Sequence, residues 1–207
     1  DGESNSAATD SLEVTLANAA PSGGAVLVGP AGAKIADTLE CSASGALDPD
    51  GDEVVWSYAW TVDGTPIPDA TGQTLVLTDF YKGAKISCSA TPNDGELSGA
   101  AIESKVALMI QNTPPSIASA TVTPDQSSKS GLLICSYEGW SDPDGADPEA
   151  VTYEWLVFGE DGELETLPEQ SEPTLVPKML DPGDQVLCRV TPNNNEEAGL
   201  PVDSNEA

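Results

Sequence analysis

Apolar and polar residues alternate with a period of two in several short stretches of the chain, and nowhere does a 3.6-residue period persist. In "DTLECSAS", Leu39, Cys41 and Ala43 fall on one side; in "AKISCSA", Ile86, Cys88 and Ala90 do the same. In "VVWSYAWTVDG" (54–64), Trp56, Tyr58, Trp60 and Val62 share a face. Each reads as a strand with one inward face. "KVALMIQN" (105–112) sets Val106, Leu108 and Ile110 opposite Ala107, Met109 and Gln111, again a strand with one buried side, and "SLEVTLAN" (11–18) repeats the pattern with Leu12, Val14 and Leu16. The "DG" at 63–64 and the "EDG" at 160–162 predict hairpin turns. With 17 Pro and 19 Gly, the chain reads as a loop-rich, short-stranded all-β protein in which helices are minor.

The pattern occurs twice. Asn18, Pro30, Cys41, Asp48, Pro49, Asp50 and Gly51 recur, shifted by 94, as Asn112, Pro124, Cys135, Asp142, Pro143, Asp144 and Gly145. After one slip, Asp52, Tyr58 and Trp60 return as Asp147, Tyr153 and Trp155. At a shift of 100, Leu75, Gly83, Cys88, "TPN" (91–93) and Gly99 match Leu175, Gly183, Cys188, "TPN" (191–193) and Gly199. The length changes fall in connections, as expected of a duplicated fold. The 207 residues suit two domains of about 100 residues each. The boundaries predicted are 1–18 for a polar tail and leading strand, 19–112 for domain one and 113–207 for domain two.

Each repeat carries two cysteines, Cys41 with Cys88 and Cys135 with Cys188, on inward strand faces. A cross-sheet disulfide in each repeat follows, stabilising it by roughly 4 kcal/mol in the chain-entropy view. Free buried thiols in a reducing compartment are the competing reading, which recurrence of the pair disfavours. An oxidising, extracellular setting is implied. The aromatic face of 56–62 reads as core packed on the disulfide rather than as a sugar platform.

Charge narrows the partners. Against 7 Lys+Arg stand 35 Asp+Glu, a formal net charge of −28, which repels nucleic acid and anionic lipid surfaces. No apolar run approaches the ~20 residues that span a bilayer. The absence of His removes Ser-His-Asp and Cys-His catalysis and the commonest transition-metal ligand, and no pair of acids is placed for glycoside hydrolysis, so no enzyme is predicted.

Cys, then "DPDGD", Tyr-x-Trp, and Cys followed by "TPNDG", with "NTPP" at the junction, resemble the tandem immunoglobulin-like and polycystic-kidney-disease-type (PKD) repeats of large bacterial surface proteins. The resemblance spans nearly the whole chain. It implies two β-sandwiches of about seven strands and roles in spacing, adhesion and assembly. Ile86 and Val186 stand where antibody domains carry a Tyr two residues before the second Cys, which argues against close kinship with those.

"LDPDGDE" (47–53) and "SDPDGADPE" (141–149) are self-sufficient turns, with Asp capping, Pro presetting the second position and Gly closing. They also offer oxygens to Ca²⁺. The resemblance to PKD-like domains, some of which hold calcium at their junctions, implies a site from Asn18, Asp48, Asp50, Asp52 and Asp94 in repeat one, and from Asn112, Asp142, Asp144 and Asp147, with Asn194, in repeat two.

"SLEVTLAN" lies 94 positions before "KVALMIQN" and so has the form of a closing strand placed ahead of the first domain, while "GLPVDSNEA" (199–207) matches only "GAAIESKVA" (99–107). Domain two is expected to lack its last strand and to expose a groove, an association site by nature. Leu12, Val14 and Leu16 of one copy would fill the groove of the next, giving a head-to-tail filament. Three arrangements compete: the segment pairs within its own domain, folds back on domain two of its own chain, or belongs to a module cut from a longer array. An adhesive or carbohydrate-binding module is the alternative function, with Phe80, Tyr81 and Phe158 as candidate glycan contacts and a surface receptor or glycan as partner.

Overall fold

The computed structural model describes residues 14–128, 130–145, 149–159 and 162–207. Repeat one contains β1 (Ala25–Gly29), β2 (Thr38–Ser44), β3 (Val55–Val62), β4 (Thr65–Pro66), β5 (Thr74–Val76), β6 (Lys85–Asn93), β7 (Ile102–Glu103) and β8 (Leu108–Met109). Repeat two contains β9 (Ser119–Thr123), β10 (Leu133–Glu138), β11 (Ala150–Phe158), β12 (Leu164–Thr166), β13 (Thr174–Leu175), β14 (Val186–Asn193) and β15 (Val202–Asp203). The fold is all-β, and among the described residues no helix is long and apolar enough to cross a membrane.

Each repeat forms two antiparallel sheets. In repeat one these are β1-β2-β5 and β4-β3-β6-β7, with β8 pairing the start of β6; in repeat two, β9-β10-β13 and β12-β11-β14-β15. The disulfides Cys41–Cys88 and Cys135–Cys188 join the inner strand of one sheet (β2, β10) to that of the other (β6, β14), as the alternation predicts. Trp155, paired with Cys188 across the sheet, and its counterpart Trp60 are fully buried, and each indole N–H donates to a backbone carbonyl, of Glu172 and Gly72, at 2.9 Å. That bond removes the cost of burying an indole N–H, so these aromatics are core. Asp63 and Gly64 take positive φ (49° and 79°) between Val62 and Thr65, closing the expected hairpin.

By Cα proximity the chain divides into two compact units, Asp1–Gly29, Glu40–Leu75 and Ser87–Ala107 in one, and Pro30–Leu39, Val76–Ile86 and Leu108–Ala207 in the other. This division differs from the sequence repeat, since three segments of repeat one group with repeat two.

One strand departs from expectation. Val106 was expected to share the buried face of Leu108 and Ile110, yet it is 74% exposed while those two are buried. The ladder with β6 runs on from Ile102↔Ala90 and Glu103↔Ser89 to Ser104, whose N–H donates to Cys88 O (2.8 Å) and whose hydroxyl accepts from Cys88 N–H (3.4 Å), and resumes at Leu108↔Ile86, so that residues 105–107 stand against Ser87 alone and the chain bends at 105–106. The closing strand is therefore two short pieces, β7 and β8, joined by a bulged linker.

Candidate functional site

The acidic loops are built first as turns. In repeat one, Asp48 Oδ1 accepts the N–H groups of Asp50, Gly51 and Asp52 at 2.8, 3.1 and 3.3 Å. Asp50 Oδ2 accepts the Ala19 N–H at 2.7 Å, which ties the loop to the incoming chain. Asp94 Oδ1 accepts the N–H of Leu97 (2.7 Å) and of Glu96 (2.8 Å), and Asn18 Nδ2 donates to Asp94 Oδ2 (3.0 Å). The amide of Leu97, then that of Glu96, holds the Asp94 carboxyl below the usual carboxylate range.

Repeat two rebuilds the corner with an amide in place of that acid. Asn194 Oδ1 accepts the N–H of Glu197 (3.0 Å) and Glu196 (3.2 Å), and its Nδ2 donates to Asn112 Oδ1 and Asp142 Oδ2, both at 3.0 Å. Asp142 Oδ1 accepts from Asp144 N–H (2.9 Å), and Asp144 Oδ2 from Thr113 N–H (2.6 Å). The structure thus brings together Asn18, Asp48, Asp50 and Asp94, and Asn112, Asp142, Asp144 and Asn194. Asp52 enters only through its backbone N–H, and Asp147 lies outside the described residues.

Two carboxylate oxygens at these corners, Asp48 Oδ2 and Asp144 Oδ1, are buried without a hydrogen-bond partner, as are Asn112 Nδ2 and Thr113 Oγ1. The two carboxylate oxygens are acceptors open to a hard cation. Among the described residues no three Asp, Glu, His or Cys side chains form a group arranged to hold a metal, so a cation here would draw on amide, backbone or water oxygens to reach about six to eight ligands.

Two lysines that sequence reasoning did not single out reach repeat two. Lys82 Nζ lies 2.9 Å from Glu196 Oε1 and 3.3 Å from Asn112 Oδ1, and Lys34 Nζ lies 3.0 Å from Glu197 Oε2. Their separations of 114 and 163 residues leave no local signal. The one clue is scarcity, in that a chain with 7 basic residues places two of them on adjacent glutamates.

The second site is a groove. In repeat one, Ile110 N–H donates to Ala84 O (3.0 Å) and Ile110 O accepts from Gly83 N–H (2.9 Å), continuing the β8 ladder in which Leu108 stands opposite Ile86. Repeat two follows the same course through Ser204, whose N–H donates to Cys188 O and whose Oγ accepts from Cys188 N–H, both at 2.9 Å. Ala207 then exchanges two backbone bonds with Val186 (2.9 and 3.1 Å), the place Leu108 holds opposite Ile86. Next to it opens a cavity of about 540 Å³ with Leu133, Leu180 and Val186 among its walls and Gly183 and Asp184 along its rim. Gly183 and Asp184 are the counterparts of Gly83 and Ala84, the two residues that bond Ile110. The groove therefore occupies the position that Ile110 fills in repeat one.

Leu12 falls outside the described residues. Val14 and Leu16 are 83% and 92% exposed, and residues 14–20 join no strand ladder among the described residues. Of the candidate glycan contacts, Tyr81 is exposed, while Phe80 and Phe158 are half-buried, Phe158 pairing with Leu164 in the β11–β12 hairpin.

No protein-family model and no curated protein matches the chain. Among solved structures it is similar to a two-domain fibronectin type III segment of chicken tenascin, at 11% identity and a TM-score of 0.39, covering 90% of this chain and 98% of that one. It is also similar to the FN1–FN3 domains of chicken CNTN1 (11%, TM-score 0.32, 89% and 66% covered) and to a segment of titin (13%, 0.34, 89% and 59%). Likenesses this distant carry no functional argument.

Proposed function

We propose that this chain is a non-enzymatic, extracellular structural subunit that joins copies of itself head to tail by strand donation. The observation that supports it is the groove of repeat two, which stands where repeat one seats Ile110. By the 94-residue shift Val14 corresponds to Leu108 and Leu16 to Ile110, so Val14 of an incoming copy pairs with Val186 and Leu16 with Asp184. Ala207 gives up its two bonds at Val186 to Val14, replacing a methyl with an isopropyl group. Leu12 corresponds to the exposed Val106 and contributes little, which reduces the donor set to two side chains. Burying Val14 and Leu16 contributes about 3–6 kcal/mol. Ordering five residues costs a comparable amount, about 5 kcal/mol or more, before the ladder bonds are counted. The strand is a weak tether that needs further contacts at the junction.

Calcium at the corners is part of this proposal. Asp48, Asp50 and Asn18, and Asp142 and Asp144, would hold it, with Asp48 Oδ2 and Asp144 Oδ1 as the open acceptors.

Sedimentation of the full chain against one lacking residues 1–17 tests strand donation; Asn18 is kept because it bonds Asp94. The full chain is expected to form concentration-dependent multimers and the shortened chain to remain monomeric. Equal assembly by both would overturn the proposal.

A further inference from the structure

The two acidic corners differ at one position of the repeat, and the difference reverses a hydrogen bond. In repeat one Asn18 Nδ2 donates to Asp94 Oδ2 at 3.0 Å. In repeat two the counterpart of Asp94 is Asn194, 1% exposed, and it is the donor: its Nδ2 lies 3.0 Å from both Asn112 Oδ1 and Asp142 Oδ2. Asn112 therefore presents its oxygen where Asn18 presents its nitrogen, and Asn112 Nδ2 is left buried without a hydrogen-bond partner. The same oxygen draws a second donor. Lys82 Nζ lies 3.3 Å from it, and Glu196 Oε1, 2.9 Å from Nζ, holds the ammonium in place. Lys82, Asn112, Asp142, Asp144 and Asn194 all belong to one compact unit.

Repeat one brings the carboxylates of Asp48, Asp50 and Asp94 to its corner, whereas repeat two brings those of Asp142 and Asp144 with an ammonium beside them. Calcium affinity rises with the charge of the ligand set, and an oxygen bonded to N–H must lose that bond before it faces a cation. A half-turn of the Asn18 amide exchanges its donor for an acceptor. Asn194 is not free to turn likewise, because its Oδ1 accepts the N–H groups of Glu196 and Glu197. We infer that Lys82 and Asn194 supply, from the protein itself, part of what a cation supplies at the corner of repeat one, so that the two corners bind calcium unequally and repeat one fills first. Lys82 is a tethered competitor for the cation, and Asn194 both removes a carboxylate and occupies two of the remaining oxygens. The chain then carries one corner that responds to calcium and one that holds its shape at concentrations too low to fill it.

This inference rests on the calcium reading, and a site-resolved titration separates the two. Calcium chloride is titrated into the full chain while the amide signals of Gly51 and Gly145, which close the two turns, are followed. Gly51 is expected to reach its midpoint at a calcium concentration about ten-fold or more below that of Gly145. Lys82→Gln is expected to lower the Gly145 midpoint about three- to ten-fold, the gain shrinking as salt is raised, and Asn194→Asp to lower it about ten-fold or more; neither moves the Gly51 midpoint. Lys34→Gln, which removes an equal charge from a lysine paired with Glu197, controls for net charge and moves both midpoints less than about two-fold. Melting gives a second readout: with chelator, Asn194→Asp sets a carboxylate against Asp142 Oδ2 and lowers the melting temperature of repeat two, and calcium restores it. Coincident midpoints for Gly51 and Gly145, or a Gly145 midpoint unmoved by both Lys82→Gln and Asn194→Asp, would overturn the inference and spare the calcium reading. Signals indifferent to calcium at both glycines would overturn both.

Discussion

Replacing Leu16 by Ala and, separately, Leu12 by Ala separates register-specific strand donation from general hydrophobic association. The two leucines lie four residues apart with the same alternation, and composition alone gives no reason to rank them. Repeat one does rank them, because Ile110, the counterpart of Leu16, is 1% exposed while Val106, the counterpart of Leu12, is 74% exposed. In the single chain Leu16 is 92% exposed, so truncating it leaves the unbound state nearly unchanged and the loss falls on the bound state. A buried leucine side chain is worth about 2–3 kcal/mol over alanine, which corresponds to about a 30- to 140-fold rise in Kd. Leu12→Ala, at a site about one-quarter buried, is expected to cost less than about 0.7 kcal/mol, or roughly three-fold. Asp184→Ala is expected to tighten binding, since it restores the alanine that repeat one sets against Ile110 and removes a carboxylate beside an arriving leucine. The assay is fluorescence anisotropy of labelled 11–18 peptides titrated into the chain lacking residues 1–17. A Leu12→Ala loss equal to or greater than that of Leu16→Ala would refute the register and the groove as its seat.

Three further outcomes are expected. Gly99→Ala and Gly199→Ala each put a Cβ against a backbone carbonyl, of Pro21 and Pro115, so each is expected to destabilise its own repeat by about 1–3 kcal/mol or more in thermal unfolding; unchanged melting would contradict the packing. The depressed pKa of Asp94 means that its contribution is present above the ordinary carboxylate pKa and is lost as pH falls through the lower folded value; the amide signals of Glu96 and Leu97 should shift in that acid range while those of Glu196 and Glu197, capped by the non-titrating Asn194, stay put, and Asp94→Asn should abolish the difference. If calcium occupies the corners, chelator lowers the melting temperature of the wild type and not that of Asp48→Asn with Asp144→Asn, whereas equal melting with and without chelator removes calcium from the account.

Much of the fold was legible because the duplication presents each signal twice. The alternation around Cys41, Cys88, Cys135 and Cys188 was enough to place all four cysteines on inward faces, and the "DG" at 63–64 to place a turn, because both signals are local and steric. The self-sufficiency of Asp-Pro-Asp-Gly was legible for the same reason, and Asp48 Oδ1 gathers three amides as such a turn requires. The exposure of Val106 was hidden because an unbroken alternation reads as an unbroken strand, while the bend comes from three residues, 105–107, set against Ser87 alone between the pairs with Cys88 and Ile86. The pairs Lys34–Glu197 and Lys82–Glu196 were hidden because they join residues far apart in sequence. That Ala207 takes at Val186 the place Leu108 holds at Ile86 was hidden because "DSNEA" (203–207) carries no apolar alternation.

Strand donation itself is tested most directly by a covalent trap. Leu16→Cys with Asp184→Cys places two thiols at the pair equivalent to Ile110 and Ala84, which the register Ile86↔Leu108 and Lys85↔Met109 sets opposite each other in an antiparallel ladder, with Ile110 N–H bonded to Ala84 O (3.0 Å), within disulfide reach. Oxidation of the double variant is predicted to yield a ladder of covalent multimers that reductant collapses to single chains, while either single variant yields none beyond a dimer. Monomers alone, or a cross-link closed within one chain, would contradict the account.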